Sequence, residues 1–124
     1  MTRLVPADAR LRRIWGLYGV VVLLHAVLDP AVSYVAVRVA DVAAETNPVL
    51  APAFATGPAA VVVAQLPLFG IVIVGLSGLT ALFNRASERE AAQLYRLSLL
   101  VLGGCALWGV ILVGWNSWVL VSGL

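Results

Sequence analysis

Three residues of the first apolar stretch hold most of the chemistry this chain could perform. His25, Asp29 and Ser33 recur at every fourth position. At about 100° per residue, Tyr18, His25 and Asp29 fall within roughly 40° of one another, with Ser33 slightly further round, as one polar stripe on a helix. His25 and Asp29 are i,i+4 neighbours, within reach of a direct hydrogen bond. An imidazole beside a carboxylate can take up and release protons near neutral pH; the carboxylate favours the charged ring and desolvation opposes it. Single amides follow in the later apolar stretches, Gln65 and Asn116. Beyond Ser33, the residues Tyr34, Arg38, Asp41 and Glu45 line nearly the opposite helix face as an acid-rich stripe. Arg38 and Asp41 stand one turn apart, where they can pair.

Other chemistries find less support. Gly75-Leu76-Ser77-Gly78 matches the GxSG of rhomboid proteases. Those enzymes need more spans than this chain has room for and place their histidine after the serine, whereas His25 precedes it. Packing explains these residues better. Gly70, Gly75, Gly78 and Ala81 would let another helix approach closely, and Gly104 and Gly109 offer a similar surface. A lone histidine is a poor basis for zinc, which takes three or four protein ligands in most sites. Two copies of His25 across a dimer axis could ligate haem, but nothing else in the sequence asks for it. No glycine loop suited to phosphates is present. No metal and no cofactor are therefore expected. Cys105 has no partner for an intrachain disulfide and reads as a small buried thiol.

These groups must be positioned by very apolar elements. Of 124 residues, 62% are hydrophobic and 11% charged, with a mean hydropathy of +1.02. Soluble domains carry about 25% charged residues. A fold of this size has too much surface to hide so apolar a composition from water. A cytosolic enzyme, a nucleic-acid binder and a disordered chain are excluded, which leaves an all-α integral membrane protein.

A bilayer span needs about 20 apolar residues. The stretch from Ile14 to Leu28 is about 15 residues, or about 22 Å of helix, so it must continue through Pro30. The expected fold is a single transmembrane domain, residues 1–124. It has three transmembrane helices near 14–42, 58–83 and 88–121, kinks at Pro30 and Pro67, and a short outer-leaflet helix or loop near 48–56. Pro58 suits a first helical turn, and Ser87 with Glu90 forms a capping box. By depth, Asp29, Gln65 and Asn116 share the outer half of the membrane. There they either clasp the helices together or line a hydrated pocket.

All eight basic residues are arginines. Arg3, Arg10, Arg12 and Arg13 precede the first span, and Arg85, Arg89 and Arg96 surround the second connection; Arg38 is the exception. The positive-inside rule then puts the N-terminus in the cytoplasm and the C-terminus outside, in the cell membrane. Trp15, Tyr18 and Tyr95 fit an inner boundary, Trp115 and Trp118 an outer one. The arginine-rich start resembles a signal peptide but is expected to remain as an uncleaved first helix.

Asp29-Pro-Ala-Val-Ser33-Tyr34, followed by Glu45-Thr46-Asn47-Pro48, resembles a family of small prokaryotic membrane proteins. They place an aspartate and then Thr/Ser-Tyr on the first helix, and a Glu-Ala-Asn-Pro signature just after it. The resemblance covers the first half of the chain. Thr46 stands where the family has alanine, and His25 and Pro30 are not features of it. The resemblance implies a three- or four-helix membrane fold with no assigned activity, and marks Asp29, Tyr34, Glu45 and Asn47. Two functions are expected to compete. One is a non-enzymatic accessory or structural subunit, packing through its glycines into a homo-oligomer or larger membrane complex. The other is a proton or ion pathway or carrier using His25 and Asp29 with Gln65 and Asn116. Partners in either case are the lipid bilayer and other membrane subunits or self, with no nucleic acid.

Overall fold

The computed structural model describes the backbone from Leu4 to Leu124 and the side chains from Ala9 onward; Arg3 lies outside the described residues. Helix α1 is continuous over residues 4–39, built in four stretches. An α-helix, Leu4–Val22, passes into a π-type stretch, Leu23–Leu28; an α-helical segment, Asp29–Tyr34, passes into a second π-type stretch, Val35–Val39. The first change of type comes just ahead of Pro30, whose nitrogen has no hydrogen to donate and whose ring crowds the preceding turn. The backbone widens there, and the Asp29 N–H donates to the Leu24 carbonyl, five residues back. In the second stretch the Ala40 N–H reaches Val35 O at 2.9 Å. Each π-type turn spends an extra residue, so everything after it is turned relative to an ideal α-helix.

Asp41, at φ 53°, ends α1. The first span thus stops short of the expected residue 42, and Asp41 leaves the face of Arg38. Among the described residues the one ion pair is Arg10–Glu88, at 3.0 Å, and the anticipated Arg38–Asp41 pair is not made.

Helix α2, Leu50–Thr56, follows the 40–49 loop, and α3, Pro58–Arg85, starts directly after Gly57. Gly57, at φ 140°, occupies a region that side chains disfavour, which permits the abrupt α2–α3 corner. Helix α3 contains Pro67 without changing helical type. Helix α4, Glu88–Gly123, begins with the Ser87–Glu90 capping box: the Ser87 N–H donates to Glu90 Oε2 at 2.8 Å, and the Glu90 N–H returns to Ser87 Oγ.

Among the described residues, three helices are long and apolar enough to cross a membrane: Ala9–Val39 within α1, α3 and α4. The lateral surface agrees with this. Ile71, Val74 and Leu100 are 70%, 72% and 74% exposed, as lipid-facing side chains would be and as a water-soluble surface would not tolerate over such an area.

Packing is uneven. At the α3–α4 hairpin, Ile14 of α1 is wholly buried against Phe83 and Ala91. Trp15 Nε1 donates to Thr80 Oγ1 at 3.2 Å, and Arg13 donates to the Tyr95 hydroxyl at 3.4 Å, so α1 is tied to both neighbours at this end. At the other end Phe54 of α2 is buried with Val61 and meets Tyr34 edge-on, ring centres 5.5 Å apart. Between these clusters α3 and α4 both pack on α1 but scarcely touch each other. A cleft is left between them, with α1 at its back. Cys105 is exposed on this account rather than buried, because α3 does not cover that part of α4.

Candidate functional site

The widened turn of α1 presents His25, and Asp29 is the first residue after it. The Asn116 amide, on α4, donates to Asp29 Oδ1 at 2.6 Å and to Ser33 Oγ at 3.2 Å. One NH2 group has two donors, so a single side chain ties two turns of α1 to α4. Asp29 and Asn116 therefore lie at one level, and the clasp between them is direct.

His25 does not bond to Asp29 among the described residues. Its Nε2 lies 2.8 Å from the Cys105 carbonyl of α4. A carbonyl only accepts, so Nε2 carries the hydrogen and, in the neutral ring, Nδ1 is left as an acceptor. An α-helix would have stacked the two side chains; the π-type turn between them takes that alignment away. Gly109 makes this approach possible. A Cβ placed there would sit 2.8 Å from Leu24 Cβ and 2.9 Å from His25 Nε2.

Asp29 forms part of the wall of two cavities. The first, about 310 Å³, runs toward the 43–47 loop and is also lined by Ser33, Glu45, Asn47 and Asn116. The second, about 440 Å³, occupies the α3–α4 cleft, where Asp29 is joined by His25, Gln65, Leu68, Val72 and Cys105. Gln65 is 8% exposed and, among the described residues, hydrogen-bonds to neither Asp29 nor Asn116. It belongs to the cleft side of Asp29 and Asn116 to the opposite side. Neither cavity is lined by a lysine or arginine. What the arrangement can do is hold a proton or a cation at Asp29, between a polar vestibule and a cleft in the helix bundle.

The remaining sequence candidates serve the walls. The Asn47 N–H donates to Glu45 Oε1 at 2.7 Å, and Asn47 Oδ1 accepts from the Val49 N–H at 2.9 Å. Leu50 and Ala51 donate to the Asn47 carbonyl, so the Glu45–Asn47 pair shapes the entry to α2. Tyr34 packs on Phe54, and Arg38 and Asp41 are exposed away from Asp29. Of the five glycines, Gly109 meets α1, and a Cβ at Gly75 would fall 2.9 Å from the Tyr18 hydroxyl. Gly70, Gly78 and Gly104 have nothing within 4 Å of that position.

Sequence reasoning missed the Gly123–Val42 contact, where an added Cβ would lie 2.6 Å from Val42 Cβ. The only available signal was the excess of small residues along α4. Among the described residues no group of three or more histidines, cysteines or carboxylates is gathered to hold a metal ion. No family model, no curated protein and no solved structure matches the chain.

Proposed function

We propose that the chain is a non-enzymatic integral membrane protein that passes a proton or small cation through Asp29. The supporting observation is that one carboxylate, with no cationic partner among the described residues, lines both the loop-side vestibule and the bundle cleft. An ionisable group at membrane depth costs about 2.5–3.5 kcal/mol on insertion scales, so its retention asks for a role or a counter-charge. In this reading the arginine-rich hairpin end faces the cytoplasm, the vestibule opens outward, and α2 lies along the outer leaflet. The π-type turn before Pro30 bends α1, and Pro67 bends α3, so that the cleft stays open. The test is flux in proteoliposomes across a pH range. Asp29→Asn lowers proton or alkali-cation flux several-fold relative to wild type, while Asp41→Asn, outside both cavities, leaves it unchanged. Equal fluxes for wild type and Asp29→Asn would sink the reading.

One observation favours a second role as an accessory subunit in a homo-oligomer or larger membrane complex. Tyr18 and His25 use Gly75 and Gly109 within the chain, but Gly70, Gly78 and Gly104 remain open to a neighbouring helix. This reading predicts that native-lipid nanodiscs contain more than one copy of the chain, or a copurifying subunit. Mass determination decides it, and a solitary chain counts against it.

A further inference from the structure

We infer that the α3–α4 cleft binds an amphipathic ammonium ion, which enters sideways from the bilayer and is held at its head by Asp29 and Gln65. This rests on the proposal above that Asp29 is a charged binding group, and it adds the ligand's class and its route.

Two independent observations point to a ligand. The first is Gln65, a primary amide that is 8% exposed, lines the cleft and has no hydrogen-bond partner among the described residues. Its polar atoms are accessible from the cavity, so the head of a ligand seated there can hydrogen-bond to it. The second is Asp29. Asn116 donates to its Oδ1, while the other carboxylate oxygen and the charge have no partner among the described residues.

The polar floor is rich in acceptors. Ionised Asp29 is an acceptor only, Gln65 Oε1 accepts, and in the neutral ring His25 Nδ1 accepts once Nε2 donates to the Cys105 carbonyl; the Asn47 amide lines the same cavity. A ligand head suited to this floor donates hydrogen bonds and is positively charged, which describes an alkylammonium. The walls are aliphatic, including Val21, Val22, Leu68 and Val72, and suit a hydrocarbon tail. A volume of about 440 Å³ lies in the range of small-molecule sites. The route is lateral because α3 and α4 scarcely touch at this level. A helix from a second copy is a poorer occupant. The chain has no lysine, and its arginines lie toward helix ends, so a second copy has no cation to bring to the depth of Asp29.

The test uses the full chain in phosphatidylcholine nanodiscs at neutral pH, titrated with radiolabelled dodecylamine or dodecanol. Uptake by protein-free discs is subtracted. Dodecylamine binds saturably, and dodecanol does not. Asp29→Asn weakens the amine about tenfold or more, as expected for loss of a charge-assisted hydrogen bond, and Gln65→Glu tightens it about tenfold. That gain cannot arise from misfolding, and helix content by circular dichroism checks Asp29→Asn. Dodecanol binding as tightly as the amine would overturn the inference, as would amine binding that neither substitution alters. Amine binding without ion flux removes only the pathway reading, and flux without amine binding removes only this one.

Discussion

Replacing Gly109 with valine should lower the unfolding free energy by about 3 kcal/mol, at the upper end of the cost of overpacking a well-packed contact. The added Cβ meets Leu24 Cβ at 2.8 Å and His25 Nε2 at 2.9 Å. Leu24 Cβ is fixed to the α1 backbone and cannot swing aside, so the helices must separate. Separation also stretches the His25–Cys105 hydrogen bond, for which about 1 kcal/mol is typical. Alanine at this position gains up to about 1 kcal/mol of helix propensity over glycine but meets the same clash, so it too destabilises. Gly104, on the same helix, faces open space. There Gly104→Ala has the opposite sign, neutral or stabilising by up to about 1 kcal/mol. Detergent-titrated unfolding followed by circular dichroism measures both. Equal effects at the two glycines would mean that α1 does not pack on Gly109.

Asn116→Leu should cost about 2–3 kcal/mol in the same assay, the magnitude of a hydrogen bond to a charged group together with the partner left behind. The Asn116 amide is the donor at 2.6 Å to Asp29 Oδ1 and at 3.2 Å to Ser33 Oγ, and leucine leaves both acceptors without that donor. The decisive variant is the exchange Asp29→Asn with Asn116→Asp, which returns one amide and one carboxylate to the same pair of positions. It restores most of the stability lost in Asn116→Leu, whereas a merely steric role for Asn116 predicts no such recovery. Ser33→Ala costs less than about 1 kcal/mol, since only the longer arm of the clasp is lost. An Asn116→Leu protein as stable as wild type would show that the clasp is not what joins α1 to α4.

Several of these features could be read from residue order. Ser87 and Glu90 identify the start of α4 because a capping box is a local contact spanning three residues. Pro58 after Gly57 marks the start of α3 for a similar reason. Matching Asn116 to the level of Asp29 needed only the rise per residue counted from each helix end. His25 is the instructive failure. A 100° wheel pairs it with Asp29, but the π-type stretch Leu23–Leu28 breaks the assumed periodicity in the interval that matters. The same arithmetic carried through Val35–Val39 put Arg38 and Asp41 in register, and the chain turns away at Asp41 instead. Glycine patterns showed that close helix approaches were available without saying which would be used. Gly109 and Gly75 are taken within the chain, and Gly70, Gly78 and Gly104 are not.

Residue order alone settles that the chain forms three helices long and apolar enough to cross a bilayer, because hydropathy and length are sums over neighbouring residues and need no knowledge of partners. It also puts a carboxylate and two amides within those helices. Tertiary structure decides the rest: that Asn116 clasps Asp29 while Gln65 lines the cleft, that His25 crosses to the Cys105 carbonyl, and that α3 and α4 lean on α1 instead of on each other. The physical reason is that a hydrogen bond between helices depends on rotation and separation to within a few tenths of an ångström. One widened turn before Pro30, and one absent Cβ at Gly109, are enough to choose between partners that the sequence leaves equivalent.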